Sequence, residues 1–163
     1  MPQFRIDPAT PADVPVILDL IRQIADYEKL SHEVIATEAG LSELLFGPRP
    51  AAEVLLGRVG DEVVGYAVFF HNFSTFLAKK GLYLEDLFVK PEWRRHGFGK
   101  RLLAQLAQLA VERECGRLEW SVLDWNAPSI AFYKSLGARP MDEWTVFRLT
   151  GDDIGALAAH ARA

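Results

Sequence analysis

The sequence predicts an α/β protein with a mixed central sheet flanked by helices. Three observations support this class: apolar runs typical of strands, apolar residues at helical spacing, and turn or capping residues between them. The predicted element order is β-α-α-β-β-β-α-β-α-β. A chain of 163 residues suits one domain, which we expect to cover residues 1–163.

The elements follow from these patterns in chain order. Strands are expected over residues 3–7, 52–58, 62–70, 82–89, 117–124 and 143–149. Helices are expected from Thr10 to about Tyr27, over 37–46, from Gly97 to about Glu114 and over 126–137, with a short alanine-rich helix near the end.

The element boundaries carry their own signals. Thr10 can cap the first helix with Asp13 three residues later, and the Val-Gly-Asp sequence at 59–61 is typical of a tight hairpin turn. Asn126 is expected to cap the last long helix, and Gly137 is expected to end it.

Composition argues against several classes of protein. The formal net charge of −4 disfavours general binding to nucleic acid or to an anionic membrane surface. No apolar run reaches transmembrane length, and the first residues carry no hydrophobic signal core. The one cysteine, Cys115, cannot form an internal disulfide and has no histidine near it in sequence, so we interpret it as structural rather than nucleophilic. We therefore expect a soluble, cytoplasmic protein.

The histidines predict no metal site, because their positions do not show metal-ligand spacing. They are His32, His71, His96 and His160.

One strand is followed by a turn that combines two glycines with positive charge, just before a helix begins. Gly97 and Gly99 have no Cβ, so the backbone there can approach an anion closely. The free N–H groups and the dipole of a helix start favour phosphate, and Arg94, Arg95 and Lys100 add charge. The turn is therefore a candidate phosphate site.

Two common phosphate motifs do not fit this turn. The Walker motif needs a glycine where Arg94 stands and a serine or threonine where Arg101 stands. The dinucleotide fingerprint needs a small third residue where Leu102 stands. The alternative without a ligand is a helix start with two flexible glycines and solvated arginines.

Two carboxylates stand together inside the apolar strand 82–89. On a regular strand Glu85 and Asp86 point to opposite faces, and at least one is expected to be partly buried. An unpaired buried charge is costly, so these carboxylates either serve chemistry or have a structural explanation, in which each pairs with an arginine or lies at a strand end.

Three polar residues share one face of the predicted helix 126–137. Asn126, Ser129 and Tyr133 are separated by three and four residues. The structural alternative for Tyr133 is an aromatic ring that packs while its hydroxyl reaches solvent.

These motifs resemble the GNAT superfamily of acetyl-CoA-dependent N-acetyltransferases. The sequence RRHGFG at 94–99 matches the Arg/Gln-x-x-Gly-x-Gly/Ala signature of that superfamily. FRIDPATPAD, YEKL, YLEDLFV, WNAPSIAFYKSLGA and EWTVFRL are similar to the spermidine/spermine N1-acetyltransferase family, and VLDWN to its thialysine N-epsilon-acetyltransferase branch. The resemblance covers nearly the whole chain and implies the GNAT, or acyl-CoA N-acyltransferase, fold.

The resemblance also implies where acetyl-CoA binds. The backbone amides of the turn would bind the CoA pyrophosphate, and the backbone near Phe88 and Val89 would hydrogen-bond the pantetheine arm. The implied acetyl-CoA-binding residues are Phe88, Val89, Arg94, Arg95, His96, Gly97, Phe98, Gly99, Lys100, Asn126, Ser129 and Tyr133.

Acetyl transfer needs a deprotonated amine, since a free alkylammonium has a pKa of about 10, and the leaving thiolate benefits from an acid. The resemblance implies Glu85 as a base acting through water and Tyr133 as the acid toward the CoA sulfur. Both Glu85 and Asp86 would border the acceptor amine. Tyr27 and Glu28 match a segment that lines the acceptor site, although a solvated helix end is the alternative for these two residues.

The leading hypothesis is an enzyme that N-acetylates a small cationic primary amine: a polyamine, a diamine or, as VLDWN favours, a lysine-like amino acid such as thialysine. Two alternatives stay open. One is a CoA-binding regulatory domain without catalysis, against which Glu85 and Tyr133 argue, and the other is acetylation of protein lysines or N-termini.

The resemblance also implies a homodimer with acetyl-CoA as co-substrate. We expect no nucleic acid, membrane or metal partner.

Overall fold

The structure, a computed structural model, describes residues 3–162. Its strands are β1 (Phe4–Pro8), β2 (Glu53–Val59), β3 (Glu62–Ser74), β4 (Lys79–Val89) and β5 (Leu118–Trp120). Its α-helices are α1 (Val14–Tyr27), α2 (Glu38–Phe46), α3 (Phe98–Glu112), α4 (Ala127–Ser135) and α5 (Asp152–Ala158). The chain divides into two compact units, the first ending at Leu123 and the second beginning at Asp124. The single domain expected over residues 1–163 stays a prediction.

The first unit contains a five-stranded sheet in the order β1-β2-β3-β4-β5. β1 to β4 are antiparallel neighbours, whereas β4 and β5 run parallel. Gly60, in the left-handed region at φ 60°, forms with Asp61 the turn between β2 and β3, as the hairpin signal predicts. The predicted mixed sheet flanked by helices is confirmed.

The apolar face of α1 packs against the sheet and fixes the position of the helix end. The buried cluster consists of Ile17, Leu20, Ile24, Val54, Leu56, Val63, Tyr66 and Phe88. Burying a large apolar side chain contributes about 1.5–3 kcal/mol, so a cluster of this size holds α1 firmly on the sheet. The end of α1 is thereby held in place, with Tyr27 as its last residue and Glu28 next.

Helix α3 starts where the sequence predicts and buries three leucines. Gly97 immediately precedes it at φ 78°, in the left-handed region that glycine enters without steric cost. Leu102, Leu103 and Leu106 are buried along its inner face.

The second unit contains α4 and α5. The side-chain oxygen of Asn126 accepts a hydrogen bond from the Ser129 N–H at 3.4 Å, and Gly137 follows the helix at φ 91°. Both predicted boundaries of α4 are confirmed.

Two strands differ from their predictions. β5 pairs only over residues 118–120 and is therefore shorter than the predicted strand 117–124. The strand prediction for 143–149 is wrong: the described chain has no strand there, and the side chains of Trp144 and Phe147 are 76% and 92% exposed. Alternating apolar residues make a segment capable of strand formation, but a ladder also needs a neighbouring strand to bond with.

Candidate active site

The strand β4 has an open edge beyond Leu84. β5 pairs with β4 only at Leu82, Tyr83 and Leu84, and no other described strand pairs with that edge. On its other side β4 stays paired with β3 as far as Val89. The end of β4 can therefore offer backbone hydrogen bonds to a ligand.

Strand alternation identifies the amides that face the open edge. The N–H of Lys90 donates to the carbonyl of Val64 at 2.8 Å, toward β3. Because alternate residues of a strand direct their amides to opposite sides, the amides of Leu87 and Val89 point away from β3. Phe88 instead contributes its ring to the core. Of the two residues predicted to contact pantetheine, Val89 thus lies on the open edge, and Leu87 lies there without having been predicted.

A β-bulge lies at Glu85. Val68 pairs with Asp86, but the next residue of β3, Phe69, pairs with Leu84, so β4 carries one residue more than β3 across this step. The regular alternation expected for Glu85 and Asp86 is therefore interrupted. Bulges re-aim side chains and are frequent beside active sites.

The side chain of Asp86 is held in place by a hydrogen bond from a buried tyrosine. The Tyr66 hydroxyl donates to Asp86 Oδ2 at 2.8 Å. Burial raises the pKa of Asp86 above its ordinary value, and the hydrogen bond from Tyr66 partly offsets that rise. Burial and the neighbouring Asp86 charge raise the pKa of Tyr66 well above its ordinary value, so the phenol stays protonated and acts as the donor.

Glu28 brings a third carboxylate from the end of α1 to the same place. Burial raises its pKa, and the charges of Asp86 and Glu85 raise it further. The structure thus brings together three carboxylates that the sequence assigns to the acceptor side, and it concentrates negative charge there.

Arg94 connects the end of α1 with the end of β4. Its guanidinium lies 4.9 Å from the ring centroid of Tyr27 and 5.4 Å from that of Phe88. Its Nε donates to the carbonyl of Val89 at 2.9 Å. Arg94 therefore holds Tyr27 beside the open edge of β4, in addition to any charge it offers an anion.

The glycine turn presents a run of amides without acceptors. Arg95 at φ 67° and Gly97 at φ 78° both adopt the left-handed conformation. Among the described residues, the N–H groups of residues 95–100 donate to no acceptor, and helical bonding starts with the Arg101 N–H donating to the Gly97 carbonyl at 3.0 Å. Such an array at a helix start is suited to an anion.

Space and positive charge surround these amides. A Cβ built on Gly99 would meet only Val89 Cγ2 within 4 Å, at 3.9 Å, so an anion could approach the backbone there. The side chains of Arg95 and Lys100 are exposed on the turn. The features that a CoA pyrophosphate requires are therefore present.

Two side chains of the signature sequence fasten the turn to the protein. Phe98 stacks on Phe4 of β1 with ring centroids 4.1 Å apart, and His96 stacks on Phe98 at 5.5 Å. His96 Nδ1 lies 2.9 Å from the Arg94 carbonyl, which can only accept, so this nitrogen carries the proton. Both residues support the turn with their side chains and leave its amides available to a ligand.

In the second unit, Asn126 caps α4, and Ser129 and Tyr133 lie within the helix. Asn126 is buried, and Ser129 and Tyr133 are half-buried, whereas the intervening Ala127 and Pro128 are exposed. Because Ile130 and Phe132 are half-buried as well, burial does not single out the face that Asn126, Ser129 and Tyr133 are predicted to share, and that face stays a prediction.

Sequence reasoning missed Tyr66, although the sequence contains a signal for it. Tyr66 stands in the apolar run 62–70, and a buried tyrosine needs a hydrogen-bond partner for its hydroxyl. The identity of that partner depends on the register of β3 against β4, which the sequence alone does not specify.

The part of the chain that the structure describes shows neither a metal-binding cluster nor a membrane-spanning helix. Within residues 3–162, no group of three or more His, Cys, Asp and Glu side chains is arranged to hold a metal ion. None of the helices in that range combines the length and the apolar character needed to cross a membrane.

Comparison with known proteins gives consistent matches. Residues 20–138 match the acetyltransferase (GNAT) family. The chain is 38% identical over 198 residues to an L-ornithine N5-acetyltransferase of Arabidopsis thaliana, covering 94% of this chain and 87% of that protein. It is 37% identical over 161 residues to a thialysine N-epsilon-acetyltransferase of Bos taurus, covering 92% and 94%.

A solved structure shows the same architecture. An integron cassette protein from the mobile metagenome of V. cholerae has a TM-score of 0.80 and 26% identity to this chain, covering 95% of this chain and 97% of that one. GNAT enzymes use acetyl-CoA as co-substrate for the acetylation of amines. With its fold, its family match and these relatives in agreement, the chain belongs to the GNAT family and is an N-acetyltransferase.

Proposed function

We propose that this enzyme acetylates the terminal amine of a small basic acceptor, of the class of lysine-like or ornithine-like amino acids, diamines and polyamines. The observation that carries the proposal is the cluster of Glu28, Glu85 and Asp86. Burial raises the pKa of Glu28, and the neighbouring charges of Asp86 and Glu85 raise it further; a cationic acceptor would relieve this second contribution. The two relatives named for L-ornithine and thialysine support an amino acid with a second amine.

The acetyl-CoA would lie along the open edge of β4 and end at the glycine turn. The amides of residues 95–100 would bind its pyrophosphate, and those of Leu87 and Val89 would bind the pantetheine arm and orient the thioester. The absence of acceptors for the turn amides among the described residues supports this assignment.

The reaction replaces the C–S bond of the thioester with a C–N bond and requires three proton transfers: two from the nitrogen and one to the sulfur. Glu85 would remove a proton from the acceptor ammonium through water, so that the amine nitrogen can attack the thioester carbonyl. As the C–S bond breaks, Tyr133 would donate a proton to the departing thiolate, since a phenol is protonated at neutral pH. The attacking nitrogen would lose its second proton as the amide forms, and this proton would restore the Tyr133 hydroxyl by way of solvent. The products are the amide and free CoA.

A CoA-release assay with matched acceptors tests this proposal. Ornithine and lysine analogues would be compared with norvaline, which lacks the terminal amine, and 1,4-diaminobutane with butylamine, which carries one charge fewer. We expect release with the terminal amines and a kcat/KM for the dication at least about tenfold above that for butylamine, from one additional ionic contact. Preference for lysine peptides, or acetyl-CoA binding without turnover, would contradict the proposal.

A further inference from the structure

The hydroxyl of Tyr66 lies where packing alone would favour an apolar group. Tyr66 is 0% exposed and belongs to the cluster formed by α1 and the sheet. A phenylalanine ring would fill the same space without a polar atom that must be satisfied. The hydroxyl is satisfied by Asp86 Oδ2 at 2.8 Å.

The two oxygens of Asp86 lie in different environments. Oδ2 accepts from Tyr66, while Oδ1 has no hydrogen-bond partner among the described residues. No fully buried side-chain oxygen or nitrogen in residues 3–162 lacks a partner, so Oδ1 must keep contact with solvent. One oxygen is thus fixed to the core, and the other is presented outward beside Glu28 and Glu85.

The hydrogen bond from Tyr66 affects the ionisation of Asp86. Burial raises the pKa of Asp86, and the hydrogen bond from Tyr66 is the contact that lowers it. A carboxylate that accepts a hydrogen bond is stabilised in its ionised form, and the ionised form attracts an ammonium group.

We propose that Tyr66 is a positioning residue for the acceptor: its hydroxyl holds Asp86 Oδ2 so that an ionised Asp86 presents Oδ1 to the ammonium group of the acceptor. This inference rests on the proposed function, because it assigns Tyr66 to the recognition of a cationic amine.

The test compares wild type with Tyr66→Phe over a range of pH, using the best acceptor from the CoA-release assay. Loss of the hydroxyl removes the contact that lowers the Asp86 pKa, so Asp86 protonates at higher pH. We expect the acidic limb of kcat/KM to move to higher pH and the acceptor KM at neutral pH to rise roughly tenfold, the effect of one hydrogen bond to a charged group. The kcat and the Kd for acetyl-CoA should change less than about twofold, since one hydrogen bond shifts mainly the equilibrium it takes part in.

Asp86→Asn shows whether Tyr66 acts through Asp86. Asparagine keeps an acceptor for the Tyr66 hydroxyl but carries no charge, so Tyr66→Phe should add little to the KM in this background. Tyr83→Phe is the matched control, because it removes a hydroxyl that is bonded to Ser121 Oγ at 2.7 Å and not to a carboxylate. It should leave the acidic limb in place.

A second variant does not depend on the stability of Tyr66→Phe. Incorporation of 3-fluorotyrosine at position 66 keeps the ring and the hydroxyl but makes the phenol a stronger donor, so the acidic limb should move to lower pH. If the enzyme acetylates amines but neither variant changes the acceptor KM or the acidic limb of kcat/KM, the role of Tyr66 is overturned while the proposed function stands. An equal loss from Tyr66→Phe in the Asp86→Asn background would overturn it too. A wild type that acetylates no small amine would instead refute the proposed function, and the inference with it.

Discussion

Glu28, at the end of α1, is destabilised in its charged form by burial and by the charges of Asp86 and Glu85. Its pKa in the folded chain is therefore above the ordinary glutamate value of about 4.3. In the interval between these two values the folded chain binds more protons than the unfolded chain, so stability falls as pH rises through it. Below the ordinary glutamate pKa, Glu28 is protonated in both states and no longer destabilises the folded chain.

We therefore expect Glu28→Gln to raise the Tm at neutral pH by about 1–3 °C, since a partly exposed, screened charge contributes at most about 1 kcal/mol. The gain should vanish below about pH 4, where Glu28 is protonated in both states. Thermal unfolding across this pH range measures it, with the exposed Glu92→Gln as control. A gain of equal size at pH 3 would show that charge crowding is not its cause.

Removal of one oxygen atom can separate the chemical role of Tyr133 from the binding of acetyl-CoA. Tyr133→Phe keeps the ring and removes the hydroxyl, so single-turnover acetylation should slow by roughly 10² to 10⁴, the usual effect of losing a general acid. The Kd for acetyl-CoA should change far less, because the amides proposed for pyrophosphate lie in the glycine turn. Tyr83→Phe is the control for hydroxyl loss. Near-normal chemistry would make Tyr133 a packing residue.

At the scale of the element, the turn before α3 depends on an open backbone. Gly99→Asp adds a side chain and a negative charge, and a Cβ fits there without a close contact in the free protein. We expect the variant to fold and to bind acetyl-CoA at least about tenfold more weakly than Gly99→Asn, which has nearly the same size without the charge. Calorimetry without an amine measures both. Equal affinities for the two variants would remove charge as the reason and weaken the pyrophosphate assignment.

Elements whose signals are local could be predicted from the sequence. The turn at Gly60, the Asn126 cap and the Gly137 stop depend on residues within a few positions of each other. The bulge at Glu85 could not be predicted, because it is defined by the register of β3 against β4. The strand prediction for 143–149 is wrong for a related reason: its alternation is local, whereas a strand also needs a neighbouring strand with which to pair.

In the active site, too, only the features formed by residues close together in sequence could be predicted. The glycine turn and the Glu85–Asp86 pair are contiguous in sequence, and the resemblance to a family supplied their proposed roles. The bond between Tyr66 and Asp86 and the stack of Phe98 on Phe4 join residues that are far apart in the chain. Such contacts arise only when the sheet register is set.

At the scale of the whole molecule, both units expose large apolar side chains. Phe76, in the turn between β3 and β4, is 96% exposed, and Trp144 and Phe147 are exposed in the second unit. Exposed apolar surface is a common mark of protein association. We propose that the chain forms a homodimer, as its resemblance to the spermidine/spermine N1-acetyltransferase family implies.

Light scattering at the concentration of the activity assay should give twice the chain mass of 18.3 kDa. Dilution below the dissociation constant of the dimer should lower the specific activity if both subunits shape the acceptor site. A monomeric mass together with full activity would contradict the homodimer.

The unbonded amides of residues 95–100 also make this turn a natural reporter of ligand binding. Amides in the β3–β4 ladder exchange hydrogen with solvent only when the sheet opens, whereas amides without an acceptor exchange rapidly. An anion that accepts hydrogen bonds from the turn would slow exchange there and leave the ladder unchanged. Deuterium uptake would thus locate the cofactor on the chain without a reporter group attached to the protein and without catalytic turnover.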